Sequence, residues 1–241
     1  MDIILITKNL SSNLFCRKRI HITKSYRWLI RSLFLFKSVL LINFIFLFQN
    51  TIAQDKTCKV KKMDDGSILV KYCISKIYDE FGNKFIQIED STTTVSHVDF
   101  NKCIALMKEV SKHKLFTGDA KSELLRVVSD NEWDIYYYTD NPWPIKNSDC
   151  VSRMSFTENK EEKIAFFKLV AKPLAYEKRN VSRMIHFNIT YAFKDLGNGT
   201  VKITMTGKSS PPVKVPLWLI KSAFPSAPAN AIRKFIAIIK E

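Results

Sequence analysis

The chain lacks the motifs that mark several large classes of enzyme. Its 241 residues include six glycines and eight prolines, too few for a linker-rich, multi-domain protein. It has no glycine-rich phosphate loop, no Gly-x-Ser-x-Gly and no His-Glu-x-x-His. These absences argue against the nucleotide-binding, serine hydrolase and zinc protease classes. We also find no nucleophile that the sequence pairs with a base, so we predict a protein that is not an enzyme.

Signatures of metal sites and nucleic-acid binding are also missing. His97, His113 and His186 are scattered and no Cys-x-x-Cys pair occurs, so we predict neither a metal nor another cofactor. The net charge is +15, yet the chain after residue 54 has no run of five basic residues. We therefore predict no nucleic-acid partner. The basic surface instead suits transient contact with an anionic membrane surface.

Residues 1–54 have the features of an export signal. They carry eight basic residues and one acid, and the basic part, residues 17–37, precedes an apolar run at 39–48. Such a run fits a signal peptide core and is too short for a membrane span of about 20 residues. Thr51 and Ala53 are small enough for the −3 and −1 pockets of signal peptidase. We therefore expect cleavage near Ala53.

An uncleaved membrane anchor is the alternative interpretation. If the apolar run extends back to Leu29, it reaches spanning length, but Arg31 and Lys37 then lie in or near the bilayer. Charged side chains are costly there. With cleavage, residues 55–241 are an exported domain, periplasmic or secreted; without it, the same domain is anchored at its N-terminus.

The cysteines include one candidate disulfide. Asp65-Gly66 predicts a two-residue hairpin turn, and in that register Cys58 faces Cys73 across two antiparallel strands. An exported protein can form disulfides. Counting residues outward from the turn places this pair at a hydrogen-bonded position, where Cα atoms are about 5.5 Å apart. Cross-strand disulfides favour this type of position less. Cys103 and Cys150 are expected to be buried free cysteines.

Alternating apolar and polar residues predict a domain made mostly of strands. The clearest case is 184–194, where Phe187, Ile189 and Tyr191 alternate with mostly polar residues, as in a strand that covers a core. After the third strand, the spacing of apolar residues predicts a helix at 98–113. The predicted strands are 59–63, 67–77, 83–90, 122–128, 133–139, 150–156, 163–171, 184–194 and 200–207.

The C-terminus is predicted to be helical. Pro216 suits the first turn of a helix, and Pro225 and Pro228 must break or kink it. A helical stripe follows, made of Ile232, Phe235, Ile236 and Ile239. The predicted order is therefore three strands, a helix, six strands and a long C-terminal helix.

Three stretches in this order resemble a known family. Residues 132–145, EWDIYYYTDNPWPI, are similar to its strand and following turn. Ser148-Asp149-Cys150-Val151 resembles its Arg-Asp-aromatic-Val strand start, with serine in place of the arginine, and Pro216-Leu217-Trp218-Leu219 resembles its Pro-x-Trp-Leu helix opening. The family is the START (steroidogenic acute regulatory protein-related lipid transfer) domain family.

The resemblance implies an α+β, helix-grip fold. In this fold a curved antiparallel sheet of about nine strands wraps around a long C-terminal helix, with another helix between the third and fourth strands. An apolar tunnel between sheet and helix implies binding, and transfer, of a lipid or other hydrophobic small molecule. The implied cavity residues are Met154, Phe187, Ile189, Tyr191, Met205, Trp218, Phe224 and Phe235.

A polyketide cyclase or aromatase on the same fold is the alternative function. That chemistry would need polar groups that converge inside the tunnel, such as Arg153, Tyr136 or His186. We expect these side chains on outward faces. Whether the C-terminal helix leaves a void beside the sheet decides between a ligand wall and an ordinary core.

Overall fold

The computed structural model describes residues 56–78, 81–143 and 145–241, so the expected signal segment, residues 1–54, lies outside the described residues. Within the described ranges, ten strands form one sheet and four α-helices accompany it. None of the helices in these ranges is long and apolar enough to cross a membrane.

The sheet is antiparallel except for one short strand. Its order is β1-β2-β3-β10-β9-β7-β6-β5-β4, and the two-residue strand β8 pairs in parallel with β6. The strands are β1 (Lys56–Met63), β2 (Ile68–Tyr78), β3 (Lys84–His97), β4 (Lys121–Ser129), β5 (Glu132–Thr139), β6 (Ser148–Asn159), β7 (Ile164–Ala171), β8 (Ser182–Arg183), β9 (Phe187–Gly197) and β10 (Thr200–Ser209).

The helices lie between β3 and β4 and at the C-terminus. They are α1 (Phe100–Lys108), α2 (His113–Thr117), α3 (Leu217–Ala223) and α4 (Ser226–Lys240). The expected fold class is confirmed: an α+β domain in which a large antiparallel sheet packs against a C-terminal helix. The C-terminal helix is divided in two, because the backbone at Phe224 is extended and Pro225 follows it.

The main core lies between the sheet and the C-terminal half of α4. Ile232, Phe235 and Ile239 are buried in one cluster with inward-facing residues of β9 and β10. The ring of Phe235 stacks on that of Phe193, with centroids 5.4 Å apart. The apolar stripe predicted from sequence therefore holds the helix against the sheet through hydrophobic burial.

Strand β3 is longer than predicted. The predicted strand ended at Asp90, but β3 continues to His97 because it pairs with β2 on one side and β10 on the other. Thr92 and Thr94 are buried in this extension, where β-branched side chains fit well. Asp90 consequently lies within the strand, on the same face as Ile88 and Thr92.

The helix predicted at 98–113 is interrupted. Asp99 is its N-cap and accepts a hydrogen bond of 2.8 Å from the backbone N–H of Lys102. Glu109 leaves helical geometry, with φ −88° and ψ 79°, which ends α1. The chain re-enters helix at His113, and this short second helix carries His113 into the interior.

A disulfide joins Cys58 and Cys73. All pairs of β1 and β2 follow the register expected from sequence, from Lys56 with Ser75 to Met63 with Ile68. The Cα atoms of the cysteines are 4.0 Å apart, closer to the roughly 4.5 Å of a non-hydrogen-bonded pair than to the expected spacing. Cys103 and Cys150 are free and buried.

Removing this disulfide should lower the free energy of unfolding. The bridge closes a loop with a sequence separation of 15, and a loop of this size restricts the unfolded chain by about 3 kcal/mol. We expect the double variant Cys58→Ser/Cys73→Ser to unfold at lower urea concentration than the oxidised wild type. Reductant should lower the wild-type midpoint and leave the variant unchanged. Equal midpoints for variant and oxidised wild type would contradict a stabilising bridge.

Candidate functional site

A cavity of about 340 Å³ lies between the inner face of the sheet and the start of α4. Its wall is mostly apolar along β9 and α4 and more polar near α2, β5 and β6. The apolar lining residues are Met107, Phe116, Leu169, Met184, Phe187, Ile189, Met205, Phe224, Ala227, Pro228 and Ala231; the more polar ones are Asp90, His113, Thr117, Asp119, Tyr137, Thr139, Ser148, Asp149, Cys150, Tyr191 and Ser209.

Side-chain size along α4 explains where the cavity forms. The first half of the helix presents Ala227, Pro228 and Ala231 to the cavity. In the second half, Phe235 and Ile239 fill the gap between the helix and the sheet. Protein interiors pack densely where large side chains interdigitate. Small side chains at the start of α4 therefore leave a void that the sheet borders on its other side.

Five of the eight sequence-predicted ligand residues lie on this cavity wall. Phe187, Ile189 and Tyr191 project from β9, Met205 from β10, and Phe224 from the break between α3 and α4. Alternation along β9 places its first three inward residues on the wall.

The other three predicted residues are not among those that line it. Met154 is fully buried against the main core, and Phe235 is packed between Phe116 and Phe193. Trp218 is 70% exposed on α3, where Ile220 is the buried residue, so this prediction was wrong about the direction of the side chain. Met154 and Phe235 do face the interior, but sequence periodicity did not separate filled from unfilled space.

A hydrogen-bonded pair of aromatic side chains forms part of the polar wall. The Nε2 atom of His113 lies 2.8 Å from the carbonyl oxygen of Met107, and Nδ1 lies 2.7 Å from the hydroxyl of Tyr137. A carbonyl only accepts, so Nε2 carries the proton and the Tyr137 hydroxyl donates to Nδ1. Burial lowers the pKa of His113 to about 4, which keeps the imidazole neutral at neutral pH.

Asp119 is a second polar group beside this pair. The Thr139 hydroxyl donates a hydrogen bond of 2.6 Å to its Oδ1 atom. Burial raises the pKa of Asp119, and its hydrogen bonds with Thr139 and Thr117 act in the opposite direction. The loop between α2 and β4 thus holds a desolvated carboxyl group against the end of β5.

Asp149 forms a buried ion pair with Arg183. The two carboxylate oxygens accept hydrogen bonds of 2.9 Å and 2.7 Å from Nε and Nη2 of the guanidinium. Arg183 also donates to the carbonyl oxygens of Pro173, Tyr176 and Glu177. The pair ties β6 to the loop after β7 and neutralises this carboxylate.

Asp90 differs from the other two acids because no hydrogen bond reaches its buried Oδ2 atom. Its carboxyl group lies on the cavity wall, on the inner face of β3. Burial raises the pKa of Asp90 to about 7. A carboxyl group without a partner in an apolar cavity favours its neutral form.

The three polar residues named for the cyclase alternative lie elsewhere. Arg153 forms an ion pair with Asp134 on the outer side of β5 and β6. The ring of Tyr136 is covered by the guanidinium of Arg179 at 4.5 Å, and His186 stacks on Phe85. Sequence reasoning placed these side chains outward, and none of them borders the cavity.

The described residues contain no group of three or more His, Cys, Asp or Glu side chains that could hold a metal ion. The thiol of Cys150 borders the cavity, and burial raises its pKa to about 12. It is therefore protonated and a poor nucleophile at neutral pH.

Sequence reasoning missed the polar wall of the cavity. The one available signal was the inward alternation of β3, where Ile86, Ile88, Asp90 and Thr92 occupy the same face. Interpreting Asp90 as the end of a strand removed it from that face. His113, Tyr137 and Arg183 gave no signal, because their partners are distant in sequence.

Several solved structures share this fold. A STAR-related lipid transfer protein from Xanthomonas axonopodis is 16% identical, with a TM-score of 0.59 over 76% of this chain and 99% of that chain. Human StAR-related lipid transfer protein 5 is 12% identical, with a TM-score of 0.60 over 87% of this chain and 98% of that chain. The lipid transfer and protein localization domain of human StarD13 is 11% identical, with a TM-score of 0.57 over 81% of this chain and 94% of that chain. At these identities the likeness shows the fold.

A relative is also found at the sequence level. An uncharacterized protein of Pseudomonas aeruginosa is 24% identical over 186 residues, which cover 76% of this chain and 86% of that protein. No protein-family model matches the chain.

The stability that neutral His113 contributes should be lost in acid. The unfolded chain binds a proton at His113 near pH 6.5, whereas the folded protein binds it near pH 4. The unfolded state therefore holds more protons between these values, and this contribution to the free energy of unfolding falls as the pH is lowered from about 6.5 to about 4. Asp90, whose pKa is raised, acts with the opposite sign, so the measurement must compare variants.

Urea denaturation at a series of pH values makes this comparison. The difference in free energy of unfolding between wild type and His113→Gln should shrink from pH 7 to pH 4. His97→Gln, at an exposed histidine, is the matched control and should follow the wild type. A difference for His113→Gln that stays constant with pH would contradict a neutral, buried imidazole.

Proposed function

We propose that this chain, which has the helix-grip fold of START domains, binds a lipid or other hydrophobic small molecule and transfers it between membranes. The observation that carries the proposal is the cavity of about 340 Å³ beside the small residues of α4. Its volume lies in the range of small-molecule sites, and such sites combine apolar walls with a few polar groups. The structural relatives named for lipid transfer also support the proposed binding of a hydrophobic ligand.

The apolar wall supplies the driving force for binding. Burying about eight methylene groups of a ligand contributes roughly 6 kcal/mol at 0.8 kcal/mol for each group. Association itself costs about 4–15 kcal/mol. An apolar chain alone would therefore bind weakly, and the polar groups of the wall decide both affinity and selectivity.

Transfer requires that the ligand leave one membrane and reach another. Residues 55–241 carry 30 basic and 22 acidic side chains, and this net charge of +8 favours transient contact with an anionic membrane surface, where each nearby Lys or Arg contributes about 1 kcal/mol. Phe224 borders the cavity at the break between α3 and α4. A movement of α3 at this break is the proposed route for ligand exchange.

Export is the second part of the proposal. The Cys58–Cys73 disulfide suits an oxidising compartment, and the leader of residues 1–54 has the order of charges and apolar residues of a signal peptide. We therefore propose that the domain acts in the periplasm or outside the cell.

Filling the cavity should abolish ligand binding. Ala231 lines the cavity from α4, so Ala231→Trp places a large side chain in the space that the ligand needs. We expect at least about tenfold weaker binding of a neutral apolar dye such as N-phenyl-1-naphthylamine, or about 1.4 kcal/mol. Fluorescence titration measures this loss.

The same substitution on the exposed side of the same helix is the control. Ala237 is exposed on α4, so Ala237→Trp should bind the dye like the wild type. If Ala231→Trp folds and binds the dye with wild-type affinity, the cavity is not the ligand site and the proposal fails.

The proposed export predicts a defined mature N-terminus. The full chain expressed in a bacterium should appear outside the cytoplasm with its N-terminus at or near Gln54, as measured by mass spectrometry of the intact protein. Ala53→Arg should block cleavage, because the −1 pocket of signal peptidase accepts small side chains. Recovery of the wild-type chain in the membrane with residues 1–54 intact would instead support the anchored alternative.

A further inference from the structure

We propose that Asp90 binds a protonated amine of the hydrophobic ligand, so that the preferred ligands are cationic amphiphiles rather than fatty acids or anionic phospholipids. This inference rests on the proposed function, because it assigns one polar contact within the same cavity. It adds the chemical class of the ligand's polar end.

The position of Asp90 in the sheet places its carboxyl group among apolar side chains. Asp90 is directly opposite Tyr72 on β2 and Gly207 on β10, and Gly207 is directly opposite Ile189 on β9. Residues that face each other in antiparallel strands project to the same side of the sheet. A carboxyl group therefore interrupts an otherwise apolar row on the inner face.

Gly207 provides the space that this carboxyl group occupies. A Cβ atom at residue 207 would lie 2.7 Å from Oδ1 of Asp90, so a side chain there would have to displace the carboxyl group. Gly207 is not among the glycines with positive φ, so no turn requires it. The carboxyl group of Asp90 therefore lies in the space that a side chain at residue 207 would enter.

Three other ionisable side chains on the cavity wall already have partners. Asp149 is paired with Arg183, Asp119 accepts from Thr139, and His113 is hydrogen-bonded at both nitrogens. Among the described residues that line the cavity there is no Lys or Arg. Asp90 is left as the acid whose Oδ2 atom has no hydrogen-bond partner in this part of the chain.

A cation satisfies Asp90 better than a hydroxyl group or an anion does. Burial raises the pKa of Asp90 to about 7 because the charged form loses its hydration without gaining a partner. An ammonium group supplies both a hydrogen bond and the opposite charge. A hydroxyl group supplies the hydrogen bond alone, and a carboxylate or phosphate is repelled.

Three ligands of equal chain length isolate the head group. Decylamine, decanol and decanoate are titrated against the full-length wild type at pH 8, with displacement of N-phenyl-1-naphthylamine as the readout. At this pH Asp90 is mostly ionised, and an aliphatic amine resembles lysine, with a pKa of about 10.4. We expect decylamine to bind about tenfold tighter than decanol, and decanoate to bind weakest.

Variants of Asp90 test which residue makes this distinction. In Asp90→Asn we expect the affinity for decylamine to fall to the affinity for decanol. The affinity for decanol itself should change less than about twofold. Asp90→Thr is a second variant for use if Asp90→Asn does not fold. Threonine is chosen because it suits a strand. Asp130→Asn, at an exposed turn residue, removes one acid elsewhere and should keep the amine preference.

The outcomes separate this inference from the proposed function. If the ligands bind but the wild type does not prefer decylamine, or if both Asp90 variants keep that preference, the role of Asp90 is overturned and hydrophobic binding stands. If neither the dye nor any of the three ligands binds, the proposed function fails and the inference falls with it.

Discussion

The packing of α4 against the sheet sets the character of the whole molecule. Over its second half, large apolar side chains such as Phe235 and Ile239 interdigitate with the strands and bury the core. Over its first half, the small side chains of Ala227, Pro228 and Ala231 line the cavity. One helix therefore both closes the hydrophobic core and leaves a cavity in it, and the proposed binding site depends on this change in side-chain size.

The cavity also concentrates polar groups that would otherwise be solvated. Asp149 and Arg183 neutralise each other, and burial keeps His113 neutral while both of its ring nitrogens are hydrogen-bonded. These contacts remove the cost of burying polar atoms and fix the shape of one wall. Asp90 is the exception, and its unpartnered carboxyl group is the point at which the wall can distinguish one hydrophobic ligand from another.

Contacts between distant segments build this wall. The carboxyl group of Asp90 on β3 depends on Gly207 of β10, and the imidazole of His113 on α2 depends on Tyr137 of β5. The first pair is brought together by the sheet order, in which β3 lies beside β10. In the second pair, α2 directly precedes β4, and β4 lies beside β5. A ligand in the cavity would thus contact strands from both halves of the sheet.

Local periodicity in the sequence was sufficient for much of the fold. The alternation of residues 184–194, the helical stripe of α4 and the hairpin register that pairs Cys58 with Cys73 all follow from neighbours along the chain. Motifs spaced along residues 132–219 indicate the helix-grip arrangement from sequence alone. Four of the five predicted residues that lie on the cavity wall belong to β9 and β10, where alternation alone identifies an inward face.

Only the tertiary structure decided which inward residues border empty space. Met154 and Phe235 face inward like Ile189, but neighbours from other elements fill the space around them. The polar wall was equally inaccessible, since the partners of Asp149 and His113 are 34 and 24 residues away in sequence. Sequence patterns report the direction of a side chain, whereas a cavity and a buried charge depend on what lies opposite.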